Sequence, residues 1–88
     1  PNEVTVEMDN GSFLPANAEV AVGGTVTWHN TSTIGHDVTP TGGHSAWIAE
    51  EDLVVDETFA VTFHDAGPYD YRCTLHSGMT GTVNVVAP

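Results

Sequence analysis

Residues 57–85 read ETFAVTFHDAGPYDYRCTLHSGMTGTVNV, and this stretch decides the fold class of the chain. Apolar and polar residues alternate over 58–63 and again over 69–73. This period of two is typical of strands with one buried face. The sequence Asp-Ala-Gly-Pro at 65–68 separates the two runs and is a turn signal. A third alternating run ends at Val85, so three short strands with tight connections are predicted here.

The same alternation recurs towards the N-terminus. It is clear over 4–8, and the runs 20–22 and 26–28 flank a Gly-Gly pair, which predicts a hairpin. Six or seven short strands with regular turn signals favour an antiparallel sandwich with Greek-key connections. Residues 41–56 do not follow the alternation and hold either a helical turn or an irregular strand.

Tyr69 stands shortly after the turn signal that begins at Asp65. This placement resembles a tyrosine corner, in which the phenol hydroxyl ties a crossover loop to the backbone. Tyr69, Tyr71 and Trp28 are therefore predicted to be structural residues.

The length and composition limit the chain to one small folding unit. Its 88 residues, 40% of them apolar, predict a single domain over 1–88 with a modest core. Small folds often gain stability from disulfides, a metal or association. Because Cys73 is the only cysteine, no disulfide forms within the chain, and a metal site becomes worth seeking.

The charge balance is strongly acidic. Twelve carboxylates face one basic side chain, Arg72, which gives a formal net charge of −11. Nucleic acid and anionic membranes are therefore disfavoured as partners. Two interpretations remain open: a solvated surface that maintains solubility, and long-range steering towards a basic partner. The sequence also has no apolar run long enough to span a membrane, so we expect no membrane insertion.

Cys73, His76 and Met79 follow one another at three-residue intervals after the second strand of the quoted stretch. In a loop, such intervals allow a thiolate, an imidazole and a thioether to converge on one point. Together with a second imidazole, they form the trigonal ligand set of blue copper sites, in which the thioether is weak and distant. His36, in a loop-to-strand transition over 34–38, is the candidate for the second imidazole. One redox-active copper ion bound by these four residues is predicted.

Other chemistries fit these residues less well. Zinc binds the same thiolate and imidazoles, but a thioether is a poor zinc ligand, so Met79 favours copper. A binuclear copper centre requires a second cysteine, which the chain lacks. A nucleophilic pair of Cys73 and His76 is conceivable, but nothing in the sequence supplies an oxyanion site. No catalytic residue is therefore predicted.

Residues 57–85 as quoted resemble the C-terminal half of cupredoxins of the amicyanin and plastocyanin type. The short Cys-x-x-His-x-x-Met loop over 73–79 is similar to that of amicyanin, whereas plastocyanins usually have longer intervals. Upstream, Gly-Thr-Val-Thr-Trp at 24–28 and Gly-His-Asp-Val at 35–38 are similar to the family's other ligand region. The resemblance covers nearly the whole chain in the right order.

This resemblance implies a Greek-key copper-binding sandwich of about seven to eight strands. It also implies one-electron transport outside the cytoplasm, with a redox partner such as a cytochrome or a copper oxidase docking near His76. A monomer that is not an enzyme is expected. Two alternatives stay open: a copper enzyme with a partly open site that transforms a small molecule such as nitric oxide, and a copper storage or delivery protein.

Three features depart from the family pattern. Gly35 stands where many relatives have proline, and Asp37 stands where an asparagine often braces the ligand loop. The ligand loop lacks proline and places Gly78 before Met79. These departures predict a looser and more exposed metal site.

Overall fold

The computed structural model describes residues 1–44 and 46–87, which form nine β-strands and no helix. In chain order the strands are β1 (Glu3–Met8), β2 (Phe13–Leu14), β3 (Asn17–Ala21), β4 (Thr25–Asn30), β5 (His36–Pro40), β6 (Glu50–Leu53), β7 (Thr58–Thr62), β8 (Gly67–Arg72) and β9 (Thr80–Val86).

Two sheets contain these strands. One has the order β2-β1-β4-β7, and the other has the order β3-β9-β8-β5-β6. Two pairs are parallel, β1 with β4 and β3 with β9, and the others are antiparallel. The predicted all-β, two-sheet class is confirmed. The structure has nine strands where about seven to eight were expected. The sequence pattern does not reveal β2, which has only two residues, or β6, which forms within the segment that does not alternate.

The hairpin predicted around Gly23 and Gly24 is wrong. The strands before and after this pair, β3 and β4, belong to different sheets. Gly23 N–H donates to Phe63 O, whereas the preceding Val22 N–H donates to Val86 O, so the turn connects to both layers. Gly24 is required because a Cβ there would clash with the Val20 side chain and lie 2.8 Å from the carbonyl oxygen of Ala21. The glycine pair therefore marks a reversal between sheets.

Aromatic side chains fill the space between the sheets. Trp28 is fully buried and packs against Tyr71 and Trp47, with ring centroids 5.2 and 5.4 Å away. Trp47 Nε1–H donates to Val38 O at 3.1 Å, which ties the non-alternating segment to β5. Tyr69 donates its hydroxyl hydrogen to Asp65 O at 2.7 Å, which confirms the predicted tyrosine corner.

Strand pairing brings two distant segments of the chain to one end of the sandwich. Strand β5 pairs antiparallel with β8 through Thr39 and Arg72. The start of β5 at His36 therefore lies beside the point where β8 ends and the connection to β9 begins. That connection is residues 73–79, the predicted ligand loop.

Candidate metal centre

The ligand loop, residues 73–79, is closed by its own backbone. Cys73 N–H donates to Met79 O at 3.0 Å, and Met79 N–H donates to His76 O at 3.2 Å. Gly78 has a φ of 80°, in the left-handed region that a residue with a Cβ adopts only with strain. The turn at Gly78 brings the two sulfur-bearing residues next to each other at the base of the loop.

Three of the predicted residues meet at this point. One nitrogen from each of His36 and His76 and the Cys73 sulfur all lie within 4.8 Å of one another. Cys73 Sγ is 3.6 Å from His36 Nδ1, and the two imidazole centroids are 4.9 Å apart. His76 Nε2 is buried and has no hydrogen-bond partner within the described part of the chain. A buried nitrogen without a partner is unfavourable, and a metal ion among these three groups would satisfy it. The donor set therefore fits a metal.

Met79, the fourth predicted residue, is also buried at this end. His36, Cys73 and Met79 are exposed by 0, 2 and 1%, and only His76 is half-buried. The looser and more exposed site predicted from the departures in the family pattern is thus not observed for these side chains. The loop achieves its closure through backbone hydrogen bonds and Gly78 rather than through proline.

Burial keeps the His36 imidazole in the form that binds metals. Removal from water lowers the pKa of His36 below 6.5, and the nearby His76 lowers it further. The Asp9 backbone and the carboxylates of Asp37 and Asp9 partly offset this lowering of the pKa. The neutral imidazole, which has a free lone pair, is therefore favoured at neutral pH.

A buried hydrogen-bond network orients the His36 ring. His36 Nε2 lies 3.0 Å from Ser32 Oγ, which leaves Nδ1 directed at the Cys73 sulfur. Ser32 Oγ donates to Asn30 Oδ1 at 2.6 Å, and Asn30 Nδ2 donates to the carbonyls of Ile34 and Leu53 at 2.8 and 2.9 Å. Asn30 and Ser32 were not predicted. Their polarity directly after an alternating strand is compatible with an ordinary loop, and only the fold reveals that both side chains are buried.

Asp37 braces the ligand loop in the way expected of the asparagine that it replaces. Its Oδ1 accepts hydrogen bonds from Thr74 N–H at 2.9 Å and from the Thr39 hydroxyl at 3.0 Å. Its Oδ2 accepts a short hydrogen bond from the Thr74 hydroxyl. Because Thr74 follows Cys73 directly, these contacts fix the backbone at the cysteine.

Exposed apolar side chains lie at the same end of the sandwich as His76. Leu75, its neighbour in the ligand loop, is 60% exposed. Ile34, two residues before His36, and Val54, directly after β6, are 38 and 54% exposed. Strand pairing of His36 with Leu53 and the contacts of Asn30 hold these segments together at the same end.

A two-sheet sandwich with a His, Cys, His cluster at one end defines the class of the cupredoxins. The profile of the family described as copper binding proteins, plastocyanin/azurin family, matches residues 2–86. The chain therefore belongs to the plastocyanin/azurin family of copper-binding proteins.

Individual relatives agree with this assignment. The chain is 32% identical to plastocyanin of Scenedesmus fuscus, over 94% of its own length and 99% of that protein. It is 34% identical to amicyanin of Paracoccus versutus, over 93% of its own length and 64% of that protein. The structure also superimposes on a copper-containing nitrite reductase from Thermus scotoductus with a TM-score of 0.88 and 30% identity. That match covers the whole of this chain but only 23% of the reductase.

The described residues include no helix long and apolar enough to cross a membrane.

Proposed function

We propose that this protein binds one copper ion through His36, Cys73, His76 and Met79 and carries single electrons between redox partners. The observation that carries this proposal is the convergence of one thiolate and two imidazoles within 4.8 Å at a buried end of the sandwich. Copper bound there supplies a one-electron change between its cupric and cuprous states. The thiolate and thioether suit the cuprous ion, and the imidazoles also suit the cupric ion.

The surrounding residues limit rearrangement when the electron moves. Ser32 holds the His36 ring, and Asp37 holds the backbone beside Cys73. The Met79 carbonyl accepts a hydrogen bond from Cys73 N–H, which fixes the two ends of the ligand loop. A site held in this way by its outer contacts keeps its ligands oriented in either oxidation state.

The partner would approach at His76. Among the four proposed ligands it is the one that is only half-buried, and Leu75 beside it is exposed. An apolar surface there allows close contact, while the net charge of −11 attracts a basic partner from a distance. The proposal includes an extracytoplasmic location, which the family resemblance implies, and a monomeric state.

Copper loading of matched variants tests the site. Copper bound to a thiolate gives an intense charge-transfer band in the visible spectrum. We expect this band in the unmodified protein, and we expect Cys73→Ser to abolish it. Ser77→Ala, a change at an exposed neighbour in the same loop, should leave the band intact. A spectrum unaffected by Cys73→Ser would overturn the site, and failure to bind stoichiometric copper would overturn the function.

Electron transfer requires its own measurement. Mixing the reduced protein with an oxidised basic c-type cytochrome should give rapid one-electron exchange whose rate falls as ionic strength rises. Saturating azide distinguishes the enzymatic alternative, because an open coordination position would change the visible spectrum. The burial of His36, Cys73 and Met79 argues against such a position. Ready transfer of copper to a chelator in both oxidation states would instead favour storage or delivery.

A further inference from the structure

The carboxylate of Asp37 lies in the interior beside the metal centre. The residue is only 5% exposed and follows His36 directly on β5. An isolated buried carboxylate is unfavourable, so its presence calls for hydrogen-bond partners or a positive charge nearby. Both kinds of partner exist at this end of the sandwich if a cation occupies the centre.

Both oxygens of this side chain accept hydrogen bonds. Oδ1 accepts from the Thr74 N–H group and from the Thr39 hydroxyl, and Oδ2 accepts from the Thr74 hydroxyl. A carboxylate that accepts several hydrogen bonds is stabilised as the anion. An asparagine in the same place would carry no charge and would present two N–H donors in place of one of these acceptors.

We propose that the buried Asp37 carboxylate selects for the cupric over the cuprous state of the bound copper and so lowers the reduction potential of this protein. A thiolate and two neutral imidazoles leave one positive charge on the site with cupric ion and none with cuprous ion. A fixed negative charge therefore attracts the oxidised site and is indifferent to the reduced one. Reduction adds one electron to the copper ion and removes this attraction, so the carboxylate opposes it.

The position of Asp37 makes this effect large compared with that of the other carboxylates. The side chain is covalently adjacent to His36 and is hydrogen-bonded to the residue that follows Cys73. Its burial reduces both the effective dielectric constant and the screening by salt. Exposed carboxylates such as Asp65, at the opposite end of β8, act through solvent.

The isosteric variant Asp37→Asn tests the proposal through the copper affinities of the two oxidation states. Competition against chelators of known affinity gives the dissociation constants for cupric and cuprous ion, and their ratio reports the preference without any partner protein. We expect Asp37→Asn to shift this ratio roughly tenfold towards cuprous ion. For one electron, this corresponds to a potential about 59 mV higher. The shift should persist at high salt.

Two control variants distinguish the effect of the Asp37 charge from the effect of its hydrogen bonds to the ligand loop and from the effect of an exposed carboxylate. Asp65→Asn makes the same chemical change at an exposed site and should leave the ratio nearly unchanged. Thr74→Val removes a hydroxyl that braces the loop but keeps the Asp37 charge, and it should shift the ratio far less than Asp37→Asn.

Equal ratios for Asp37→Asn and Asp65→Asn would overturn this inference, as would a Thr74→Val shift that matches that of Asp37→Asn. The inference rests on the proposed copper site. If the unmodified protein binds no copper, the proposed function fails; if all variants bind copper with one ratio, only the role of Asp37 fails.

Discussion

At the scale of single residues, Tyr71 is unusual because it is a core side chain with a buried hydroxyl that lacks a hydrogen-bond partner in the described residues. Its ring packs against Trp28 and Phe13, and a Cβ at residue 81 would overlap it, so Gly81 leaves the space that the ring needs. The Tyr71 hydroxyl and the Trp28 N–H are both buried without a hydrogen-bond partner in the described residues. Burial raises the pKa of Tyr71 from 10.0 to about 12, and the neighbouring Trp28 N–H offsets only part of that rise.

Tyr71→Phe should therefore be tolerated at neutral pH. The change removes an unpartnered hydroxyl and keeps the ring, so we expect the free energy of unfolding to stay equal or to rise by about 1 kcal/mol. Urea unfolding measures this quantity. Tyr69→Phe is the matched control: it loses a hydrogen bond to Asp65 O and should destabilise the protein by about 1 kcal/mol. Equal losses for the two variants would contradict the structure.

The pH dependence of the same variant follows from the sign of the shift. The folded protein resists ionisation of Tyr71 more than the unfolded chain does. The stability that this group contributes is complete below pH 10 and is lost as pH rises towards about 12. The loss amounts to about 2 to 3 kcal/mol at most. The Phe variant should lack this part of the alkaline loss, and parallel curves for the two proteins between pH 9 and 12 would refute the assignment.

Residue identity alone predicted the metal ligands but not the side chains that support them. The spacing of Cys73, His76 and Met79 and the match to a family pattern indicated the predicted ligands because their chemistry is rare. Ser32 carried no such signal, since hydroxyls are usually solvated, and Asp37 stood out only as a departure from the asparagine of the family pattern. Their burial depends on strand pairing between distant segments, which a local pattern does not encode.

At the scale of elements, the segment between β4 and β5 acts as a support for the metal centre. Its Ser32 hydroxyl contacts both the His36 ring and the Asn30 side chain, which in turn donates a hydrogen bond to the carbonyl of Leu53, the last residue of β6. Three separate pieces of backbone are thereby held in register around one imidazole. Outer contacts of this kind fix the ring orientation of a metal-binding histidine.

Ser32→Ala should weaken copper binding while leaving the fold intact. Loss of the hydroxyl frees the His36 ring to rotate, and we expect the copper dissociation constant to rise by about 10 to 100-fold. Chelator competition measures this constant, and Thr33→Ala, whose side chain is exposed in the same segment, serves as the control. If the two variants bind copper equally well, the hydroxyl does not orient the ring.

Strand predictions succeeded where alternation was strong. They failed at a turn that could join two strands of one sheet or strands of different sheets. Strands β1, β7, β8 and β9 coincide with alternating runs because one face of each is buried. The hairpin predicted at Gly23 and Gly24 is wrong because a turn signal does not specify which strand becomes the neighbour. Parallel pairing of β3 with β9 is set by contacts across the whole chain.

At the scale of the whole molecule, the net charge of −11 is confined to a small volume. The principal extents are 37, 24 and 18 Å. At about 0.01 M ionic strength the Debye length of roughly 30 Å is comparable with the size of the molecule, so the carboxylates repel one another across it. At about 0.15 M it falls to roughly 8 Å, and only close neighbours interact. Composition alone predicted this acidic character, whereas the placement of one carboxylate, Asp37, inside the fold required the structure.

The copper-free protein should therefore become more stable as moderate salt is added. Screening relieves repulsion in the compact state more than in the expanded unfolded chain. We expect the free energy of unfolding in urea to rise by about 1 kcal/mol between these two ionic strengths. An uncharged osmolyte at equal osmolality controls for solvent effects. Arg72→Gln, which removes the one basic side chain, should steepen the dependence because the net charge becomes more negative. A stability that is constant or falls with salt would mean that the acidic surface is already neutralised locally, and long-range attraction of a basic partner would lose its physical basis.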